Sequence, residues 1–173
     1  MTFFSAFRFS RILLFVMLVV ALHTTASGQP NTGNLNVEAN RILQVAQALL
    51  VYQQLLLEPA KKSSSTRGDL QSIEVATSLT LSSAREVAVN INYLHLGSWI
   101  TEEPARIRAN LLLYEQRQFS ISTLQAHIKK IEFYSQFVSE KSSLAMLLSA
   151  KDSIQITLNL LNKPVEASPP KQR

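Results

Sequence analysis

The amino-acid sequence predicts an all-α fold, an up-and-down bundle of four to five helices that follows an N-terminal signal peptide. Apolar residues recur three and four positions apart over long segments, which is the spacing of one side of an α-helix. No segment shows the sustained period-two alternation and β-branched enrichment of strands. The chain has only four glycines, which is few for a sheet with many hairpins.

The first 28 residues have the features of a secretory signal peptide. Arg8 and Arg11 precede an apolar run of eleven residues, Ile12–Leu22, and small residues follow up to Gly28. Cleavage near Gly28 would leave Gln29 first. Because spanning a bilayer takes about 20 apolar residues, this run is short for a membrane helix. We expect a secreted or periplasmic product, with a membrane partner only if the signal peptide stays uncleaved.

Composition gives the size and charge of the exported product. Without residues 1–28 the chain has 145 residues, the size of one domain. Loss of Arg8 and Arg11 leaves 15 cationic residues against 12 acidic ones, so the net charge falls from +5 to +3. The charges are scattered, and no nucleic-acid partner is expected. The absence of cysteine suits a bacterial periplasm or exterior better than a disulfide-stabilised secreted protein.

The sequence divides the exported product into three parts. Residues 29–34 have the composition of a linker, with Pro30 and Gly33 opposing regular structure. Residues 35–163 are predicted to form the helical bundle domain. Residues 164–173 have the composition of a disordered tail.

The first predicted helix organises the bundle. It is expected from about Leu35 to Glu58, where Pro59 ends it. Residues 42–57 carry no charge, and their apolar side chains cover about half of the helix circumference. The principal stripe comprises Leu35, Ala39, Ile42, Ala46, Leu49 and Leu56, and is widened by Leu43, Leu50, Leu57, Val45 and Tyr52. Such a helix needs neighbours on two sides.

Two further helices follow. Asp69 is predicted to cap the second helix, after a polar connection over residues 60–68, and Gly97 to end it. Its core stripe comprises Leu70, Ile73, Thr77, Thr80, Ala84, Val87, Ile91 and Leu94. Thr101 is predicted to cap a third helix that ends near Gln118. The residues expected to be buried there are Ile107, Leu111, Leu112 and Tyr114.

The last segment forms one helix or two. Ser122 and Gln125 match a capping box, which predicts a new helix start. No glycine or proline occurs from Ser122 to Lys163, and residues 139–143 are the predicted break. One apolar stripe comprises Leu124, Ile128, Ile131 and Val138, and the other Leu144, Leu148, Ile154, Leu158 and Leu161.

The motifs of known catalytic chemistry are missing from the sequence. Only His95 and His127 remain after cleavage, and neither has the partner spacing of a helical zinc or di-iron site. We expect His95 to be a partly buried packing residue and His127 to be solvated. No nucleophile elbow or phosphate-binding glycine loop occurs, and the Glu102–Glu103 pair suits a helix N-terminus. We therefore expect no metal, no cofactor and no enzyme activity.

One short motif resembles a receptor-binding sequence. Arg67, Gly68 and Asp69, followed by Leu70 and Ile73, resemble the extended form of the integrin-recognition tripeptide. The resemblance implies that Arg67 would pair with an acidic groove and that Asp69 would complete a receptor metal site. It covers seven of 173 residues. The structural interpretation is that Gly68 turns the chain, Asp69 caps a helix, and the two apolar residues face the core.

Aromatic residues supply the remaining candidate surface. Phe133, Tyr134 and Phe137 lie one turn apart and broaden the apolar arc of their helix. Aromatic residues at helical spacing are usually core, and the alternative is a partner surface or a lipid-contacting groove, to which Tyr52 would also belong. The basic residues are not interleaved with exposed aromatics as base stacking requires.

We therefore expect an exported, non-enzymatic helical bundle that acts by protein–protein binding in the cell envelope or exterior. Its partner would be an envelope or extracellular protein, a second copy of the chain included, with coiled-coil packing as one mode. The alternative is a carrier of a lipid or other apolar ligand between helices. Its expected lining comprises Leu49, Tyr52, Leu56, Ile131 and Phe137. An integrin-type ligand is the third hypothesis.

Overall fold

The computed structural model describes residues 32–163, except for the side chains of residues 32, 33 and 96–98. Within this range the chain forms four helices and no strand. The helices are α1 (Thr32–Ala60), α2 (Ser64–Trp99), α3 (Glu103–Ser135) and α4 (Lys141–Leu161). The predicted signal peptide, linker residues 29–31 and the predicted tail lie outside the described residues.

Neighbouring helices run antiparallel and are joined by short connections. Gln53 near the end of α1 lies 3.5 Å from Glu74 near the start of α2. Glu132 near the end of α3 forms a 2.9 Å ion pair with Lys151 of α4. Helix α4 also packs against α1 and α2, which closes the bundle. The all-α class is confirmed, with four helices in the described part of the chain.

Helix α1 is longer than predicted at both ends. It begins at Thr32, inside the segment assigned to the linker, and passes through Pro59 to Ala60. Pro59 lacks the amide that would donate to the Leu55 carbonyl one turn earlier, and because Pro59 lies in the last turn the helix loses only this one hydrogen bond. The chain then turns, and the Lys62 amide donates to the Pro59 carbonyl at 3.0 Å. The predicted end before Pro59 is therefore wrong.

Helix α2 begins six residues before its predicted start. Its N-cap is Ser63, whose side chain accepts a hydrogen bond from the Thr66 amide at 3.4 Å. The predicted cap at Asp69 is wrong, and so is the long connection, because only residues 61–63 lie between the two helices. The run of serines in this segment offers several hydroxyls able to cap a free helix end.

Helix α3 is continuous through Ser122, so the predicted boundary there is wrong. The Ser122 hydroxyl donates to the Phe119 carbonyl at 2.8 Å inside the helix instead of capping a new one. The N-cap is Glu102, one residue after the predicted Thr101. Since no glycine or proline lies nearby, nothing makes the backbone leave the helix at Ser122.

The predicted break between the last two helices is confirmed in position to within a few residues. Helix α3 ends at Ser135 and α4 begins at Lys141. The segment from Ser122 to Lys163 therefore belongs to two helices, and the two apolar stripes assigned to it lie on different elements.

The main core draws on all four helices. Its buried members include Leu49, Leu56, Ile73, Leu124, Ile131, Leu147, Ile154 and Leu161. A smaller cluster of Ile42, Ala84, Val87 and Ile91 joins the start of α1 to the end of α2. The principal stripes predicted for α1 and α2 are thus largely buried. Leu43, Leu50 and Leu57, which were expected to widen the α1 stripe, are instead exposed.

The first half of α3 lies outside both core clusters. The expected burial of Ile107, Leu111, Leu112 and Tyr114 is wrong, because all four are exposed. The buried residues of α3 begin only at Ser120. Gln116 of this half-helix lies 3.5 Å from Glu86 of α2, so the side with Ile107 and Leu111 points away from α2.

The two ends of α4 are held by charged side chains from other helices. Asp69 of α2, only 1% exposed, accepts hydrogen bonds from the Ser139 amide at 2.8 Å, the Ser139 hydroxyl at 3.0 Å and the Glu140 amide at 2.9 Å. Arg117 of α3 donates to the carbonyls of Leu160, Leu161 and Lys163, and burial lowers its pKa. The N-cap of α4 makes no side-chain capping bond of its own. An anion at the start and a cation at the end also match the helix dipole.

Replacing Asp69 with alanine should strongly destabilise the bundle. The change leaves two amides next to α4 without their acceptor, at a cost of about 2 to 4 kcal/mol in the free energy of unfolding. Urea unfolding followed by circular dichroism measures this. The exposed Asp152→Ala variant is the matched control and should differ from wild type by less than about 0.5 kcal/mol. Equal stability of the two variants would contradict the capping role.

Candidate interaction surface

Tyr52 is a core residue with a polar anchor. Its ring belongs to the main core, and its hydroxyl lies 3.2 Å from Glu140 Oε2, 3.0 Å from Ser142 Oγ and 3.1 Å from Ser143 Oγ. Burial raises the pKa of the Tyr52 phenol. The hydroxyl therefore ties α1 to the start of α4, and the ring is not part of an accessible partner surface in this fold.

Phe133 and Phe137 are exposed, so the expectation that they are core residues is wrong. The Phe133 ring packs edge to face against Phe137, with centroids 5.0 Å apart, and against half-buried Tyr134 at 5.6 Å. These three residues form an aromatic cluster at the end of α3. Phe133 and Phe137 lie at the surface, as the alternative interpretation of the sequence expects, whereas Tyr134 packs against the main core.

The integrin-like residues occupy the first turns of α2. Arg67 is exposed and Gly68 is half-buried, but Asp69 is buried and bonded to the loop before α4. Ile73 is fully buried in the main core. A receptor could engage Asp69 only by displacing the bonds that hold α4.

The burial of the two histidines is the reverse of the prediction. His95 is exposed, so its partly buried packing role is wrong. His127 is half-buried, and its Nδ1 lies 2.9 Å from the Ser83 hydroxyl. Burial lowers the pKa of His127, and nearby Lys130 acts in the same direction, while Glu86 opposes them. His127 is therefore a structural link between α2 and α3.

A buried polar layer between α2 and α3 was missed by sequence reasoning. The Asn90 amide donates to Ser120 Oγ at 2.7 Å, and the Ser120 hydroxyl donates to Glu86 at 2.9 Å. Asn90 and Ser83 follow Ala76 at seven-residue intervals, next to the predicted core stripe of α2. Ser83 and Asn90 thus repeat at one heptad position beside the core stripe, and this repeat could have predicted hydrogen bonds to a neighbouring helix.

The outward side of α1 carries no charge and combines apolar side chains with side-chain amides. We define the α1 face as its exposed residues between positions 36 and 57. These are Asn36, Val37, Asn40, Leu43, Gln44, Gln47, Leu50, Val51, Gln54, Leu55 and Leu57. Glu38 and Arg41 are the only charged residues in this range, and they lie on the inner side as a 3.5 Å ion pair. Outer faces of bundle helices usually carry charged residues.

A second apolar surface lies on the first half of α3. We define the α3 ridge as Ile107, Leu111 and Tyr114, which are 57–61% exposed. Their four- and three-residue spacing places them on one side of the helix, away from α2. Trp99 at the end of α2 is 84% exposed. Single exposed apolar residues are common, but aligned rows of them mark interaction surfaces.

The five residues expected to line a ligand cavity do not share an accessible surface. Leu49, Tyr52, Leu56 and Ile131 are members of the main core, whereas Phe137 is exposed.

Among residues 32–163, no group of three or more metal-binding side chains is arranged to hold an ion. No helix in that range is long and apolar enough to cross a membrane. Comparison of the chain with protein-family models, curated proteins and solved structures gave no match.

The anchor at Tyr52 predicts a specific pH dependence. The raised pKa means that the folded chain keeps the phenol proton after the unfolded chain loses it near pH 10. The contribution of Tyr52 to stability is therefore complete below pH 10 and falls as the pH rises above that value.

Unfolding in urea at pH 8 and pH 11 tests this for wild type and Tyr52→Phe. At pH 8 the variant should be less stable by about 1 kcal/mol, since it lacks the hydroxyl bonds. At pH 11 the difference should shrink or reverse. An unchanged difference at both pH values would contradict the anchor.

Proposed function

We propose that this chain is an exported, non-enzymatic helical bundle that acts by binding another protein in the cell envelope or exterior. The observation that carries the proposal is the outward position of two rows of apolar side chains, Leu43, Leu50 and Leu57 of the α1 face and the α3 ridge. Each row has helical spacing, and neither is covered by another described helix. Apolar rows of this length in water favour association with a partner.

The shape of these surfaces favours protein over a small ligand. Both rows lie on the outer side of a helix, and a convex surface cannot surround a small molecule as a cleft does. A partner helix or groove can cover such a row through residues spaced three and four apart. The exposed aromatic cluster of Phe133 and Phe137 gives a further anchor of the type enriched at protein interfaces.

Export is the part of the proposal that rests on the N-terminal sequence. Two cations, an eleven-residue apolar run and small residues up to Gly28 support a cleaved signal peptide. The chain has no cysteine and so forms no disulfide bond, which fits an exported bacterial protein.

Site-specific photocrosslinking in intact cells tests the binding function. A photoreactive phenylalanine at Tyr114 on the α3 ridge should give a discrete protein adduct, and the adducted chain should begin at Gln29. The matched control is the same group at Gln125, an exposed polar position of α3, which should give none. The Leu111→Glu change should remove the adduct and alter the free energy of unfolding by less than about 0.5 kcal/mol, because Leu111 is exposed.

Two results would contradict the proposal. Equal crosslinking at both positions would show that the α3 ridge has no specific partner. Adducts to lipid alone would favour the apolar-ligand carrier instead.

A further inference from the structure

The α1 face has the residue spacing of a coiled-coil seam. Asn40, Gln47 and Gln54 are seven residues apart, and Leu43, Leu50 and Leu57 each follow one of them by three. This alternation of three and four residues keeps a seam aligned with a second helix over three heptads. All six side chains are exposed. The leucines take the d positions of this register, and the amides take the a positions.

The charge distribution makes a second copy of the chain a suitable partner. The chain has a net charge of +5, or +3 without residues 1–28, so two copies repel one another over most approaches. The α1 face is free of charged side chains over about six helical turns, because Glu38 and Arg41 pair with each other on the inner side. Two α1 faces can therefore meet without opposing like charges.

The amide row adds self-complementarity. A side-chain amide is both donor and acceptor, so the same amide on a symmetry-related chain can satisfy both groups. Hydrocarbon would leave these groups unpaired, which disfavours a lipid surface as the occupant. Since a positions face a positions only when the two helices are parallel, pairing of like amides sets the orientation.

We infer that the α1 face binds a second copy of this chain, with the two α1 helices parallel and in register. The inference rests on the proposed function, which it makes specific by naming the partner. About 22 residues give a strip roughly 33 Å long and 10 Å wide. The area of this strip is small compared with the about 800 Å² that each partner buries in a standard interface. The dimer should therefore be weak, and the dimer fraction should depend on protein concentration.

A charge placed in the leucine row tests the inference directly. Sedimentation equilibrium of the exported chain over a range of concentrations should show a monomer–dimer equilibrium. Leu50→Lys places a charge in the seam and should raise the dissociation constant at least about tenfold. Leu148→Lys is the matched control, since Leu50 is 42% exposed and Leu148 is 43% exposed. Leu148 lies on the α3 side of α4, one turn before Lys151, and its substitution should leave the equilibrium unchanged.

Because the chain contains no cysteine, single-cysteine variants report the register without background. Under mild oxidation, Gln47→Cys should form a disulfide-linked dimer, and the exposed Gln125→Cys control on α3 should not. In a mixture of Asn40→Cys and Gln54→Cys, each variant should link to itself. Linking of the two variants to each other would indicate antiparallel helices and overturn the stated geometry.

Other outcomes separate this inference from the proposed function. A monomer at all concentrations overturns the inference, whether the α1 face then binds a different protein or a membrane. A dimer that survives Leu50→Lys but is lost on Leu111→Glu places the contact on the α3 ridge and also overturns it. Neither result affects a specific protein adduct at Tyr114, which tests binding as such.

Discussion

Helix α4 closes the bundle, and its two ends are held by charges that other helices supply. Asp69 of α2 accepts from the backbone at its start, and Arg117 of α3 donates to the carbonyls at its end. Tyr52 of α1 is a third residue that attaches α4, because its hydroxyl bonds to Ser142 near the start of the helix. Because α4 is held in this place, one side of α1 is covered by α2 and α4, and the other side is left to the solvent. The accessible apolar surface therefore follows from how α4 is attached.

The helical class and most of the core could be predicted because they depend on periodic burial, which is local in sequence. Ile73, Leu124 and Ile154 lie where the periodicity places them. The ends of the helices were harder to predict, because several serines and threonines could serve as caps and only the folded backbone selects among them. Asp69 illustrates this, since it has the right residue type for a cap but instead accepts from backbone amides 70 and 71 residues away, in the loop before α4.

The largest error in the sequence-based core concerns the row of Ile107, Leu111 and Tyr114. Periodicity shows that one side of a helix is apolar, but it does not show whether this chain or another one covers that side. The leucine row of α1 raises the same question. In both cases the sequence identified the apolar row, but the row was expected to pack inside the bundle and is exposed instead. Rows that are periodic in sequence and exposed in one chain are therefore the surfaces on which the proposed binding function rests.

The central claim is that another copy of the chain shields the apolar side of α1. Hydroxyl-radical footprinting by mass spectrometry measures the solvent access of single leucines. With increasing protein concentration, the oxidation rates of Leu43, Leu50 and Leu57 should fall together, while that of Leu148, similarly exposed in the single chain, should stay constant. Constant oxidation of all four leucines across the concentration range would contradict the claim.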